Sequence, residues 1–106
     1  LHEKGEKDMN TPLIVTRHAG LIAWLERHGI VGEVVAHATS DNVRGRVVYG
    51  VLPLHLAALT AEVVAIDMPG LPPDRRGQDL TPEEMDTYGA RLTRYQVRIL
   101  EEEGGK

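Results

Sequence analysis

The sequence predicts an α/β domain: a mostly parallel sheet of about four strands, flanked by helices and followed by a long C-terminal helix. Three observations carry this expectation. Residues 13–29, LIVTRHAGLIAWLERHG, pass from an apolar β-branched run through a polar turn into a helical pattern, the first half of a βαβ unit. Three more β-branched runs follow, EVVAHA at 33–38, RVVYGV at 46–51 and EVVAID at 62–67. After Thr81, apolar side chains recur every three or four residues as far as Ile99.

Taken in order, Leu13-Ile14-Val15 suits a strand buried on both faces. Thr16-Arg17-His18 is polar and Ala19-Gly20 breaks the run. Leu21, Ile22 and Leu25 then share a helix face opposite Glu26 and Arg27, and Gly29 stands where helices stop. Between the second and third strands lies TSDNVRG, a set of turn-formers. A parallel crossover normally takes about a dozen residues or more, so this link is either a tight antiparallel return or a degenerate crossover. PLHLAALT at 53–60 reads as a short apolar helix with Pro53 in its first turn, where a missing N–H does no harm. MPGLPPDRRGQDL at 68–80 is a Pro- and Gly-dense loop, of a length that is often functional. Thr81-Pro82-Glu83-Glu84 forms a capping box with Pro at the first helical position. Met85, Tyr88, Leu92, Tyr95 and Ile99 mark the apolar face of the long helix expected after it.

A chain of 106 residues is enough for one core and not two, assigned here to 9–103. Residues 1–8 are charged, lack a core pattern and precede Met9, so they read as an extension or tag remnant; 104–106 is a tail. With no bilayer-length apolar run and no signal-peptide pattern, a cytoplasmic location without membrane contact is expected. The absence of Cys excludes disulfides, thiolate metal sites and a cysteine nucleophile. A formal charge of −4 argues against non-specific binding to long nucleic acid. The two tails hold six of the sixteen carboxylates and all three lysines, so the nine cations between them are all Arg. The planar Arg fork suits bidentate phosphate contacts, although a plain bias toward Arg gives the same composition.

In βαβ units ligands sit beyond the carboxyl ends of the strands, where Arg17 and His18 fall. Arg stabilises charge on a phosphoryl group and His moves protons near neutrality; the alternative reading is an exposed polar turn. His55 occupies the same position after the third strand, with a carbonyl-bonded core histidine as its alternative. Arg17, His18 and His55 are therefore the catalytic candidates. Thr16 offers a hydroxyl or a helix cap. Arg75, Arg76 and Gly77 form a possible anion clamp in the long loop, with Gly permitting close backbone approach. Gly50 marks the third strand's junction, and with Thr16 and the clamp completes the ligand-binding set. His28 beside Gly29 reads as a partner of the helix dipole, and His37 as a strand residue. No His, Asp or Glu group has metal-ligand spacing, and no Walker or GxGxxG loop is present. Chemistry without metal or cofactor is the default expectation.

LIVTRHAG departs from the strand-plus-RHG signature of histidine phosphatases, because Ala19 separates His18 from Gly20. Three blocks, VTRHAGLIAWLERHGI, GVLPLHLAAL and LPPDRRGQDLTPEEMDTYGARL, in that order, carry a likeness that covers about 12–97. Together they resemble the small CRISPR-associated accessory family numbered sixteenth in the Csx series. That resemblance implies a Rossmann-like, CARF-related domain acting as a homodimer alongside type III CRISPR systems. It further implies a ring nuclease that cleaves the cyclic tetra-adenylate second messenger. The chemistry then expected is metal-independent attack by a ribose 2′-OH, giving linear products ending in a 2′,3′-cyclic phosphate. A module that senses or sequesters the ring without cutting it is the alternative.

Overall fold

The first strand, β1 (Leu13–Val15), lies inside a five-stranded sheet, one strand in from its edge, in a computed structural model that describes residues 11–104. The other strands are β2 (Glu33–Val35), β3 (Val47–Tyr49), β4 (Glu62–Asp67) and β5 (Arg91–Tyr95). Their order is β2-β1-β3-β4-β5; the first three pairs are parallel and β4–β5 is antiparallel. This is the order of doubly wound sheets, whose direction of winding reverses between β1 and β3. The link from β2 to β3 is thus the degenerate crossover: both strands flank β1 in parallel, and the link carries only α2 (Ser40–Val43). A capping box between Thr39 and Asn42 starts that single turn.

Alternation along the strands divides the core between the two faces. On one face Ile14, Tyr49 and Val64 pack against Trp24 and Leu25 of α1 (Ala19–Arg27) and Met85 of α4 (Pro82–Thr87). Trp24 Nε1 donates to Asp86 Oδ1 at 2.8 Å and Arg27 pairs with Glu83 at 2.6 Å, which locks α1 to α4. On the other face Leu13 and Val48 meet Val43 of α2, with Leu56 of α3 (Leu54–Ala57) against them. At the amino end of β3 the guanidinium of Arg46, 2% exposed, is neutralised by Glu33 at 2.8 Å and donates to the Thr11 carbonyl.

The sheet has five strands rather than about four, and the long C-terminal helix does not form. α4 stops at Thr87. Gly89 N–H donates to the Asp86 carbonyl and Ala90 N–H to that of Met85, a Schellman closure that needs the left-handed conformation Gly89 adopts at φ +80°. Arg91–Tyr95 then pairs with β4, Leu92 facing Ile66 and Tyr95 facing Val63 across the ladder. The expected extension over 1–8 and the last two residues of the tail lie outside the described residues. Among those described, no helix is long and apolar enough to cross a membrane.

Candidate functional site

At the carboxyl ends of β1, β2 and β3, where the winding reverses, the chain leaves a cleft of about 390 Å³. The crevice is a product of topology, because the segments leaving β1 and β3 depart to opposite faces. Val15, Leu21, Ile66 and Met85 give it an apolar floor; Thr16, Arg17, His18 and Gln78 form its polar rim. Gly50 sits at the base with φ +137°, and a Cβ there would lie 2.6 Å from the Val15 carbonyl oxygen. Only glycine lets β3 leave the sheet so close to β1.

Each rim group is held by a neighbour. The Thr16 hydroxyl accepts from the His18 backbone N–H at 3.1 Å, fixing the turn after β1. Arg17 Nη2 donates to His37 Nε2 at 3.1 Å, joining the end of β1 to the end of β2. Asp79, reaching back from the long loop, accepts from the Gly20 N–H at 3.3 Å and lies 3.8 Å from His18 Nδ1. His18 supplies no side-chain cap to α1, so this distant carboxylate meets the positive end of the helix instead. A Cβ on Gly20 would collide with the Leu80 carbonyl, and glycine there lets the loop close against α1.

Of the residues singled out in the sequence, Thr16, Arg17, His18 and Gly50 come together in the cleft. His55 is exposed on α3 and does not line it. Arg75 points into a network of its own, donating to Glu84 Oε2 at 3.0 Å, the Tyr88 hydroxyl at 3.2 Å and Gln78 Oε1 at 2.9 Å. Its hydrogen bond to Glu84 raises its pKa further above the ordinary Arg value. Gly77 is exposed with open space around it, and Arg76 lines a separate depression. His28 accepts the structural reading, its Nδ1 2.9 Å from the Trp24 carbonyl and its ring against the indole.

Sequence reasoning reads His37 as a strand residue and gives no role to Gln78 or Asp79. His37 falls inside the run read as a strand, but β2 ends at Val35, which releases 36–38 into the loop at the strand's carboxyl end. Nothing local to Gln78 or Asp79 marks them, since their role depends on where the loop returns. Among the described residues no three His, Asp or Glu side chains form a cluster suited to a metal ion.

The family model described as "Putative CRISPR-associated protein (Cas_VVA1548)" matches residues 13–98, from the first residue of β1 to beyond β5. No curated protein and no solved structure matches the chain.

Proposed function

Because the chain belongs to the CRISPR-associated Cas_VVA1548 family, we propose that it is a type III accessory protein that binds and cleaves cyclic tetra-adenylate, ending the signal that the ring carries. The sequence blocks that resemble the sixteenth Csx family suggest this substrate and a Rossmann-like, CARF-related origin. The observation that supports cleavage is the pairing of a guanidinium and an imidazole on the rim of the switch-point cleft, where Arg17 is held by His37 and His18 follows it in the chain. The apolar floor suits a purine face, and the rim suits the phosphodiester attached to it.

In this reading a ribose 2′-oxygen attacks its adjacent phosphorus, the O2′–P bond forming as the P–O5′ bond breaks. The 2′ proton passes to solvent, and His18 donates a proton to the departing 5′-oxygen. Arg17 offsets the charge that builds on the non-bridging oxygens. The product is linear and ends in a 2′,3′-cyclic phosphate. The nucleophile belongs to the substrate, so the absence of Cys is no obstacle, and catalysis is positioning plus electrostatics. No metal or cofactor is required.

Two copies acting together fit the ligand. A ring of four equivalent nucleotides contains a twofold axis, and a C2 homodimer presents the same cleft to it twice. An apolar groove on the α3 face of β4 and β5 supports pairing. Val51 and Leu54 there are 86% and 75% exposed, and Gly50 and Val51 line both groove and cleft.

The test is incubation with cyclic tetra-adenylate in excess EDTA, followed by chromatography. A linear product with a cyclic phosphate end is expected. Tight binding of an intact ring would establish a sensor or sequestering module instead. Cleavage abolished by EDTA would keep the enzyme and remove the metal-free mechanism.

A further inference from the structure

Among the described residues, five of the nine arginines have a side-chain partner: Arg17 with His37, Arg27 with Glu83, Arg46 with Glu33, Arg75 with Glu84 and Arg94 with Glu62. Arg76 and Arg91 have none among the described residues, yet both line one depression of about 410 Å³ at the rim where β4 ends and β5 begins. Arg91 stands opposite Asp67 in the β4–β5 register without an ion pair to it, and Asp67 Oδ2 accepts instead from the Thr93 hydroxyl at 2.9 Å. Two guanidinium groups against that one carboxylate leave the depression net positive. Ile66 and Met68 line this depression and the cleft alike, so the two adjoin across the end of β4.

We infer that Arg76 and Arg91 form a second anion subsite, taking a phosphodiester of the same oligonucleotide whose scissile phosphate lies at Arg17. The inference rests on the nucleotide reading of the cleft and extends it. A single phosphate would engage only one of the two cationic positions; a multiply charged ligand engages both. The pair exists because the chain turns back after α4 and sets Arg91 beside the long loop.

The experiment titrates linear tetra-adenylate and adenosine monophosphate separately into the wild-type protein, Arg17→Gln, and the Arg76→Gln/Arg91→Gln double variant, over a range of salt concentrations. Both arginines are exposed, so the double variant should melt as the wild type does. It should bind tetra-adenylate about tenfold more weakly and adenosine monophosphate unchanged. Its slope of log K against log salt should fall by about 0.7, the single-strand value for one phosphate contact. The Arg76→Lys/Arg91→Lys variant, which keeps the charge, should recover most of the slope. Equal affinity and slope in the double variant and wild type, with Arg17→Gln impaired, would overturn the subsite and leave the cleft standing. Failure of the wild type to bind tetra-adenylate would overturn the nucleotide reading and the subsite with it.

Discussion

Arg17, His18 and His37 have distinct expected effects, because in the proposed mechanism the first two touch the reacting phosphodiester and the third only holds Arg17. Replacing Arg17 or His18 by Ala should lower turnover of the ring by an order of magnitude or more, since one offsets transition-state charge and the other supplies a proton. His37 reaches the reaction only through Arg17, its Nε2 accepting from the guanidinium at 3.1 Å. His37→Ala should therefore reduce turnover several-fold with little change in melting temperature, and His37→Gln, which keeps an acceptor, should recover much of it. Single-turnover kinetics on the three variants checks this; Arg17→Ala and His18→Ala at wild-type rate in folded protein would remove the site. Arg17 and His18 were legible in the sequence because polar residues closing a β-branched run sit at a strand's carboxyl end whatever surrounds them. Asp79 was not, because its distance from His18 and Gly20 is set by a loop whose return path no local pattern encodes.

Two helix ends closed by the same motif show how far single elements can be read. Gly29 ends α1 with N–H bonds from Gly29 to Glu26 and from Ile30 to Leu25, and Gly89 ends α4 with the matching pair. The first was recognised because the apolar spacing stops there. At Gly89 the three-and-four spacing runs on through Leu92, Tyr95 and Ile99, so an alternating strand imitated a continuing helix. Only the partner strand resolves the ambiguity: Leu92 lies across from Ile66, and Arg94 bonds Glu62 at 3.0 Å. Gly89→Ala places a Cβ at φ +80° and should destabilise the fold by about 1 kcal/mol, read as a lower urea midpoint at unchanged m. The capping box of α4 was fully legible, and it makes the element sensitive to pH. The Thr81 backbone N–H, and then Arg75, hold the Glu84 carboxyl below the ordinary Glu value; Arg27 chiefly does the same for Glu83. Folded-state values below the unfolded value of about 4.3 stabilise the native state above that pH. The contribution disappears as pH falls through the unfolded value and then the folded ones. Urea midpoints should therefore drop below about pH 4.3, less steeply in Glu83→Gln/Glu84→Gln, and 1 M salt should shrink the share due to the exposed Arg27–Glu83 pair.

The whole molecule has one sheet with unequal faces. α1 and α4 cover one; on the other, α2 and α3 are single turns over β1 and β3, and the stretch above β4 and β5 keeps an apolar groove with Val63, Ala65, Tyr95 and Val97 in it. The sequence conveyed the parallel core, because β-branched runs between turn signals need no partner to be recognised. It did not convey this asymmetry, because part of the groove is built by Tyr95 of β5 and Val97 beyond it, in a stretch whose spacing reads as helix. If two copies pair through the groove, Leu54→Glu sets a carboxylate in the middle of the contact without touching the cleft, which Leu54 does not line. Sedimentation should then show a dimer for the wild type and a monomer for the variant. Because one ring spans two clefts in the proposed mechanism, the monomer should lose turnover at least tenfold while Arg17 and His18 remain intact. Raising its concentration should restore the rate only as dimer returns. A Leu54→Glu monomer that cuts the ring at full speed would show that a single cleft is sufficient and that symmetry plays no part in catalysis.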